Sequence, residues 1–133
     1  MSTIWKGYAA SLTEIMNTRS VGTQKEDAAA EYIEDHGGKI KCRNFRSRMG
    51  EIDIIAADED TICFVEVKYR KSSRAGHPAE AVNARKQFII SRTADYYRMK
   101  HALPEDIPYR FDVISMIGDE ISWYKNAFQY IPV

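Results

Sequence analysis

Residues 50–68 constrain this chain more than any other stretch. Gly50-Glu51-Ile52-Asp53-Ile54-Ile55 and Phe64-Val65-Glu66-Val67-Lys68 are two β-rich runs whose charges fall at alternate positions. Asp58-Glu59-Asp60-Thr61 lies between them and reads as a turn. With Glu59-Asp60 as a two-residue loop, Asp58 pairs with Thr61. Counting back sets Ala57 against Ile62, Ile55 against Phe64, Asp53 against Glu66 and Glu51 against Lys68. Opposed residues of an antiparallel pair project to the same side. Glu51, Asp53, Glu66 and Lys68 are therefore expected on one face, and Ile52, Ile54, Val65 and Val67 on the other. A slip of one residue would mix the two sets.

Such a charged face carries a cost. Two carboxylates about 5 Å apart repel by roughly 3 kcal/mol at an effective dielectric near 20. Lys68 offsets part of this, and a divalent cation held between Asp53 and Glu66 would offset more. Magnesium is commonly held by one or two carboxylates with water and substrate phosphate, and a lysine beside the pair suits metal-assisted phosphoryl chemistry. A solvated strand face with chance charge pairing explains the same spacing equally well.

A chain of 133 residues is long enough to bury the core of one domain, here residues 1–133 with 1–22 as a helical extension. No run of about 18 apolar residues is present. The N-terminal Met-Ser-Thr-Ile-Trp-Lys-Gly-Tyr lacks the continuous apolar stretch of a secretory signal. Cys42 and Cys63 fall on expected strands without metal-ligand spacing, and read as small buried hydrophobes in a reducing, cytoplasmic setting. The formal net charge is zero, but it is unevenly spread. Lys39, Lys41, Arg43, Arg46 and Arg48 share a stretch without acids; Lys68, Arg70, Lys71 and Arg74 follow the second run. Acids gather in 26–35 and 51–60. Basic walls beside an acidic centre suit a phosphodiester; solvated strand edges would carry the same lysines and arginines.

Periodicity predicts a helix over 4–17 and another opened by Thr23 as N-cap, with Glu26 completing a capping box and Gly37-Gly38 as the stop. Glu31 belongs to its surface. Strands follow at about 39–46, 50–57 and 61–69. Residues 71–78, which include Gly76, His77 and Pro78, read as a loop leaving the strand that carries Glu66 and Lys68. His77 is there either a turn residue or a phosphate contact. A long helix over about 79–100 is expected to bury Val82, Phe88, Ile89, Ala94 and Tyr96 or Tyr97, and to wet Arg85, Lys86, Arg92, Arg98 and Lys100. Strands at 110–116 and 120–124 complete the chain. Trp123, Tyr124, Phe128 and Tyr130 either close a core or stack on bases. This order predicts an α/β fold with a mixed sheet.

Asp53 with Glu66-Val67-Lys68 resembles the motif of the PD-(D/E)XK nuclease superfamily. The chain is similar in particular to the YraN-like uncharacterised bacterial proteins, which are related in pattern to the archaeal Holliday-junction resolvases. That similarity runs through Gly22, Glu26 and Ala29, Asn44-Phe45-Arg46, Gly50-Glu51-Ile52-Asp53, and Phe64 to Arg70. It continues through Lys86, Arg110-Phe111-Asp112-Val113-Ile114 and Asn126-Ala127-Phe128. The resemblance implies the restriction-endonuclease-like fold, with an αβββαβ core. It implies Asp53 and Glu66 as metal ligands, Lys68 beside the attacking water, and Glu26 as a third acid from the first helix, in competition with its capping role. It also implies that Lys86 reaches the active face. The Gln-x-x-x-Tyr of RecB-type relatives is absent, since Ser91 stands four residues after Gln87. Asp112 is expected to make a structural polar contact.

The function expected on these grounds is Mg2+- or Mn2+-dependent endonuclease action on nucleic acid, with structured DNA as the substrate and no membrane partner. Arg43, Arg46, Arg70, Lys71, Arg74 and Lys86 would grip the backbone, which positions a substrate without reading its sequence. Symmetric junction cleavage would call for a two-fold homodimer. Two rival readings stay open: a nucleic-acid-binding module without catalysis on the same scaffold, and a protein-interaction domain of a repair complex.

Overall fold

The computed structural model describes residues 21–71 and 82–133. The helix expected at 4–17, and Arg74, Gly76, His77 and Pro78 of the expected loop, lie outside the described residues. Residues 21–35 form a helix, α1. Strands β1 (Gly38–Arg46), β2 (Glu51–Asp58) and β3 (Thr61–Arg70) follow, then helix α2 (Ala84–Lys100) and strands β4 (Tyr109–Ile117) and β5 (Glu120–Phe128). The five strands form one sheet in sequence order. Only the β3–β4 pair is parallel, and α2 makes the crossover between those strands. The result is a mixed, mostly antiparallel sheet with α1 against one face and α2 against the other. It matches the expected restriction-endonuclease-like order.

The two faces are separate apolar clusters. Ala29, Ala30 and Ile33 of α1 pack with Ile54, Ala56, Cys63, Val65, Ile114 and Met116. Ile90, Ala94 and Tyr97 of α2 pack with Phe45, Ile55, Phe64, Phe111, Val113 and Phe128. β3 has β2 and β4 on its two edges and a helix over each face, so Cys63–Glu66 are buried without interruption. The aromatic C-terminus closes the core: Phe128 stacks on Phe111 at 5.2 Å between ring centres.

Several boundaries differ from expectation. Thr23 lies inside α1, so it is not the N-cap, and the capping alternative for Glu26 falls away. Gly37 (φ 93°) ends α1 as anticipated, in a conformation that glycine adopts without strain. The α2 helix starts at Ala84, where the Asn83 side chain accepts from Lys86 N–H at 2.9 Å; Val82 is buried ahead of the helix and not within it. Tyr96 is exposed, and Arg92 is largely covered while donating to the Ile131 carbonyl. β5 runs on to Phe128 through a register shift near Asn126 (φ 55°), four residues past the expected end.

The hairpin follows the counted register from Asp58–Thr61 as far as Ile54–Val65, and the paired ladder stops there. Ile52 does not share the side of Ile54. It packs with Ile55 on the α2 side, whereas Ile54 and Ala56 face α1. Residues three apart in a regular strand face opposite sides, so the alternation slips between Ile52 and Ile54. β1 slips at the matching place, since Cys42 and Phe45 both touch the α2-side cluster. Asn44, which falls between the pairs Arg43–Ile54 and Phe45–Ile52, has φ 53°. Asn44 and Asp53 therefore face each other where both strands bend. Asparagine tolerates this left-handed conformation better than most residues, which is why the hydrophobic pattern alone did not reveal the bend.

Candidate metal centre

The bend opens β2 away from β3 and gathers acids at the gap. β3 goes on pairing with β4 as far as Arg70–Ile117, so the Val67 amide no longer has a β2 carbonyl opposite. Asp53 Oδ2 takes that place and accepts from Val67 N–H at 2.8 Å. The other end of β2 is held by the 47–50 turn. There Ser47 N–H donates to the Gly50 carbonyl at 2.8 Å, and the Ser47 and Thr93 hydroxyls meet at 3.3 Å, which ties the turn to α2. Gly50 sits so close to the Ile89 side chain that a β-carbon there would overlap it.

Oxygens of Glu26, Glu51 and Asp53 come within 4.8 Å of one another. This cluster can hold a metal ion. Asn44 sits under it: with its amide nitrogen turned to the acids, it donates to Glu51 Oε1 at 2.9 Å and Glu26 Oε2 at 3.2 Å. Glu66 borders the same cavity as Glu26 and Asp53, a groove of roughly 380 Å³ between α1 and the gap. Its side chain is only 6% exposed. One oxygen, Oε1, has the ammonium groups of Lys68 at 3.8 Å and Lys86 at 3.7 Å. The other, Oε2, is buried without a hydrogen-bond partner among the described residues.

Titration follows from this crowding. Burial pushes the Glu66 carboxyl up to about 7, the Asp53 charge adds to the rise, and Lys86 and Lys68 oppose it. Asp53 is also raised, first by burial. The Val67 hydrogen bond and Lys86 oppose that rise, while Glu26 and Glu51 add to it. A buried carboxylate oxygen lacking a donor among the described residues, in a cavity shared with Asp53 and Glu26, is unfavourable for the bare protein and favourable for a cation.

The model of the uncharacterised protein family UPF0102 matches residues 25–116, a range that contains every one of these side chains. The chain belongs to UPF0102. It is 47% identical over 113 residues to the UPF0102 protein of Lachnoclostridium phytofermentans, covering 85% of this chain and 96% of that one. It is 43% identical over 111 residues to that of Fusobacterium nucleatum, covering 84% and 92%. It is 37% identical over 113 residues to that of Coxiella burnetii, covering 84% and 94%.

The remaining expected site residues fall in different places in the UPF0102 chain. Glu51 does not face Lys68; it pairs with Arg46 at 3.0 Å and joins the acidic cluster, because β2 has turned toward β1 at that point. Lys86 is at the carboxylates and not on an outer wall. Arg43 is held by Asp27 at 2.7 Å, with Glu26 at 3.9 Å. Lys71 is exposed and Arg70 half-buried. Asp112 is fully buried and has structural partners: Arg110 donates to both of its oxygens, Trp123 Nε1 to Oδ2 at 2.9 Å and Asn126 N–H to Oδ1 at 2.8 Å. Arg110 also reaches Asp58 at 2.8 Å, as Lys125 does. The sequence reading missed Asn44 and Glu51 as partners in the acidic cluster. The two-residue spacing of Glu51 and Asp53 was a signal for the second; for Asn44 the signal was its place in the resemblance, which did not give it a role. Among the described residues no helix is long and apolar enough to cross a membrane.

Proposed function

We propose that this UPF0102 chain is a nuclease that hydrolyses phosphodiester bonds with Mg2+ or Mn2+ and acts on structured DNA in repair or recombination. The observation that carries the reading is Glu66. It is a buried carboxylate with one oxygen unpartnered among the described residues, on the wall of a cavity shared with Asp53 and Glu26. Asp53 and Glu66 would hold the cation, and Glu26 and Glu51 would hold water around it or a second ion. Bound there, the ion would supply Lewis-acid stabilisation of phosphoryl oxygens and a more acidic water.

The chain's own groups have separable tasks. The Val67 amide fixes the rotation of the Asp53 carboxylate. Asn44 keeps Glu26 and Glu51 together by donating to both. Lys68 and Lys86 flank Glu66 Oε1 and keep positive charge next to the position a phosphate would take. Lys68 is the group assigned to orient the attacking water, with Lys86 the second cation on the charge that develops at phosphorus.

The test is incubation of the purified chain with branched, flapped, single-stranded and duplex DNA, in Mg2+, Mn2+ and EDTA. Cleavage that requires the ion and disappears in Asp53→Ala and Glu66→Ala is expected. Salt-sensitive binding with no turnover on any substrate would instead leave the non-catalytic module.

A further inference from the structure

Three cavities adjoin along the acidic cluster. The largest, roughly 770 Å³, is lined by Arg46, Arg48, Met49 and Tyr96 at the β1–β2 turn and α2. Through Arg46 it meets a second, of roughly 580 Å³, which holds Glu26 and Glu51. Through Glu26 the second meets the groove of Asp53 and Glu66, whose outer wall is Tyr69 with Lys25. Tyr69 and Tyr96 are the exposed aromatic side chains among the described residues, at 42% and 40%. They stand at the two ends of this row. Each has cations beside it: the Lys25 ammonium lies 4.3 Å from the Tyr69 ring centre, and Arg46 and Arg48 share the Tyr96 cavity. The Arg46 side chain is 77% exposed even while it is paired with Glu51.

We propose that this row is a trough for an unpaired polynucleotide strand, with bases stacking on Tyr96 and Tyr69 on either side of the phosphate over the acids. The proposal rests on the nuclease reading and adds the substrate class. Exposed rings interleaved with cations are what a single strand uses, because its bases present free π faces and its backbone presents charge. A duplex keeps its bases stacked inward and leaves two such rings without a partner. Met49, 50% exposed beside Tyr96, gives the same cavity an apolar floor for a base. Phosphate contacts from Arg46, Arg48 and Lys25 make the binding salt-dependent without reading sequence.

The test is fluorescence anisotropy with short labelled oligo-dT and oligo-U and a blunt duplex of equal length, with Ca2+ replacing Mg2+ so that binding is read without turnover. Either strand should bind at least about ten-fold more tightly than the duplex, and the dT and U arms show whether the strand is DNA or RNA. Tyr96→Ala and Tyr69→Ala should each weaken strand binding by about five-fold or more, with Tyr96→Phe and Tyr69→Phe close to wild type. Arg48→Gln should lower the slope of log affinity against log salt by roughly 0.7, and the tyrosine variants should leave it unchanged. Ultraviolet crosslinking of a 5-iodouracil strand to the wild-type chain should label peptides containing Tyr69 and Tyr96, and this needs no variant to fold. Equal affinity for duplex and strand, or alanine variants that bind as wild type, overturns the trough. So does full-rate, metal-dependent duplex cleavage by the double alanine variant, which would spare the nuclease reading. Tyrosine-dependent strand binding by a chain that cleaves nothing supports the trough and removes the nuclease.

Discussion

Asp53 accepts the Val67 amide at 2.8 Å at the point where the β2–β3 ladder stops, so a side-chain carboxylate continues what main-chain carbonyls do lower in the hairpin. Further along the same strand, Glu51 is turned toward β1 and Arg46. Asp53 therefore carries two duties. It closes the hairpin, which needs only an acceptor oxygen, and it joins an acidic cluster, which needs its charge.

Replacing Asp53 separates these duties. Asp53→Asn keeps an acceptor for Val67 and removes a charge that burial, Glu26 and Glu51 all disfavour. In metal-free buffer at pH 8 this variant should be more stable than wild type by about 1 kcal/mol, a rise of several degrees in Tm, while Mn2+ affinity falls at least about ten-fold. Asp53→Ala should instead lose about 1–3 kcal/mol by leaving the Val67 amide unpaired. Thermal unfolding followed by circular dichroism distinguishes them, and equal losses in both variants would count against the division.

Stability of the metal-free chain should fall as pH rises toward neutrality. Unfolded, Glu66 titrates near 4.5; folded, near 7. Between those values the folded state binds more protons, so the stabilisation is full below about pH 4.5 and is lost as pH rises through about 7. The loss is on the order of 3 kcal/mol at most. Asp58 acts in the opposite sense. Hydrogen bonds from Lys125 and Arg110 hold it below the ordinary 3.8, so its contribution is present above that value and disappears in stronger acid. Urea unfolding in EDTA should therefore show a maximum near pH 4, and saturating Mn2+ should flatten the decline on the alkaline side. A flat metal-free profile from pH 5 to 8 would contradict the crowding at Glu66.

The sheet was legible because its strands obey simple rules. Five alternating or continuous apolar runs separated by turn residues marked it, and the Asp58–Thr61 turn fixed the hairpin register through Ile54–Val65. Legibility ended at the bend. The reversal of Ile52 depends on the left-handed Asn44 opposite Asp53, and hydrophobic alternation carries no record of a backbone angle. Extrapolating the ladder three pairs too far placed Glu51 against Lys68 and missed its meeting with Glu26. Asp53, Glu66 and Lys68 were picked out by their types and spacing. That Lys86 meets them from another element depends on how α2 packs, which only the resemblance suggested.

Lys86 is the second cation at Glu66, and its ammonium is slightly nearer to Oε1 than that of Lys68. Lys86→Met should raise the Glu66 carboxyl further, because a charge that favours the ionised form is gone. The pH midpoint for Mn2+ binding, followed by isothermal titration, should move upward. Thermal stability should change by less than about 1 kcal/mol, since the lysine is partly exposed and its ion pair is screened.

Gly50 is where the β1–β2 turn touches α2. Gly50→Ala should cost about 1–3 kcal/mol, because the added methyl overlaps the Ile89 side chain and the turn must shift. The shift would carry Glu51 with it, so Mn2+ affinity should fall together with stability. Ile89→Ala removes the overlapping Cγ2, so Gly50→Ala should cost less in stability and in Mn2+ affinity when added to Ile89→Ala than when added to the wild type; equal costs in both backgrounds would clear that contact.

Asp112 lies outside the acidic cluster, and the contacts it makes are structural. It takes hydrogen bonds from Arg110, Trp123 and the Asn126 amide with no exposed surface. Burying a carboxylate is costly, but removing one partner of a buried pair costs more, because the other charge stays behind. Arg110 would keep Asp58 only, and the amide that turns β5 at Asn126 would lose its acceptor. Asp112→Ala should therefore lose about 3–5 kcal/mol. Below the melting transition, Mn2+ affinity should remain within about two-fold of wild type, because none of its partners touches Glu26, Glu51, Asp53 or Glu66. A large loss of metal binding in folded Asp112→Ala would show that the two acidic networks are coupled through the sheet.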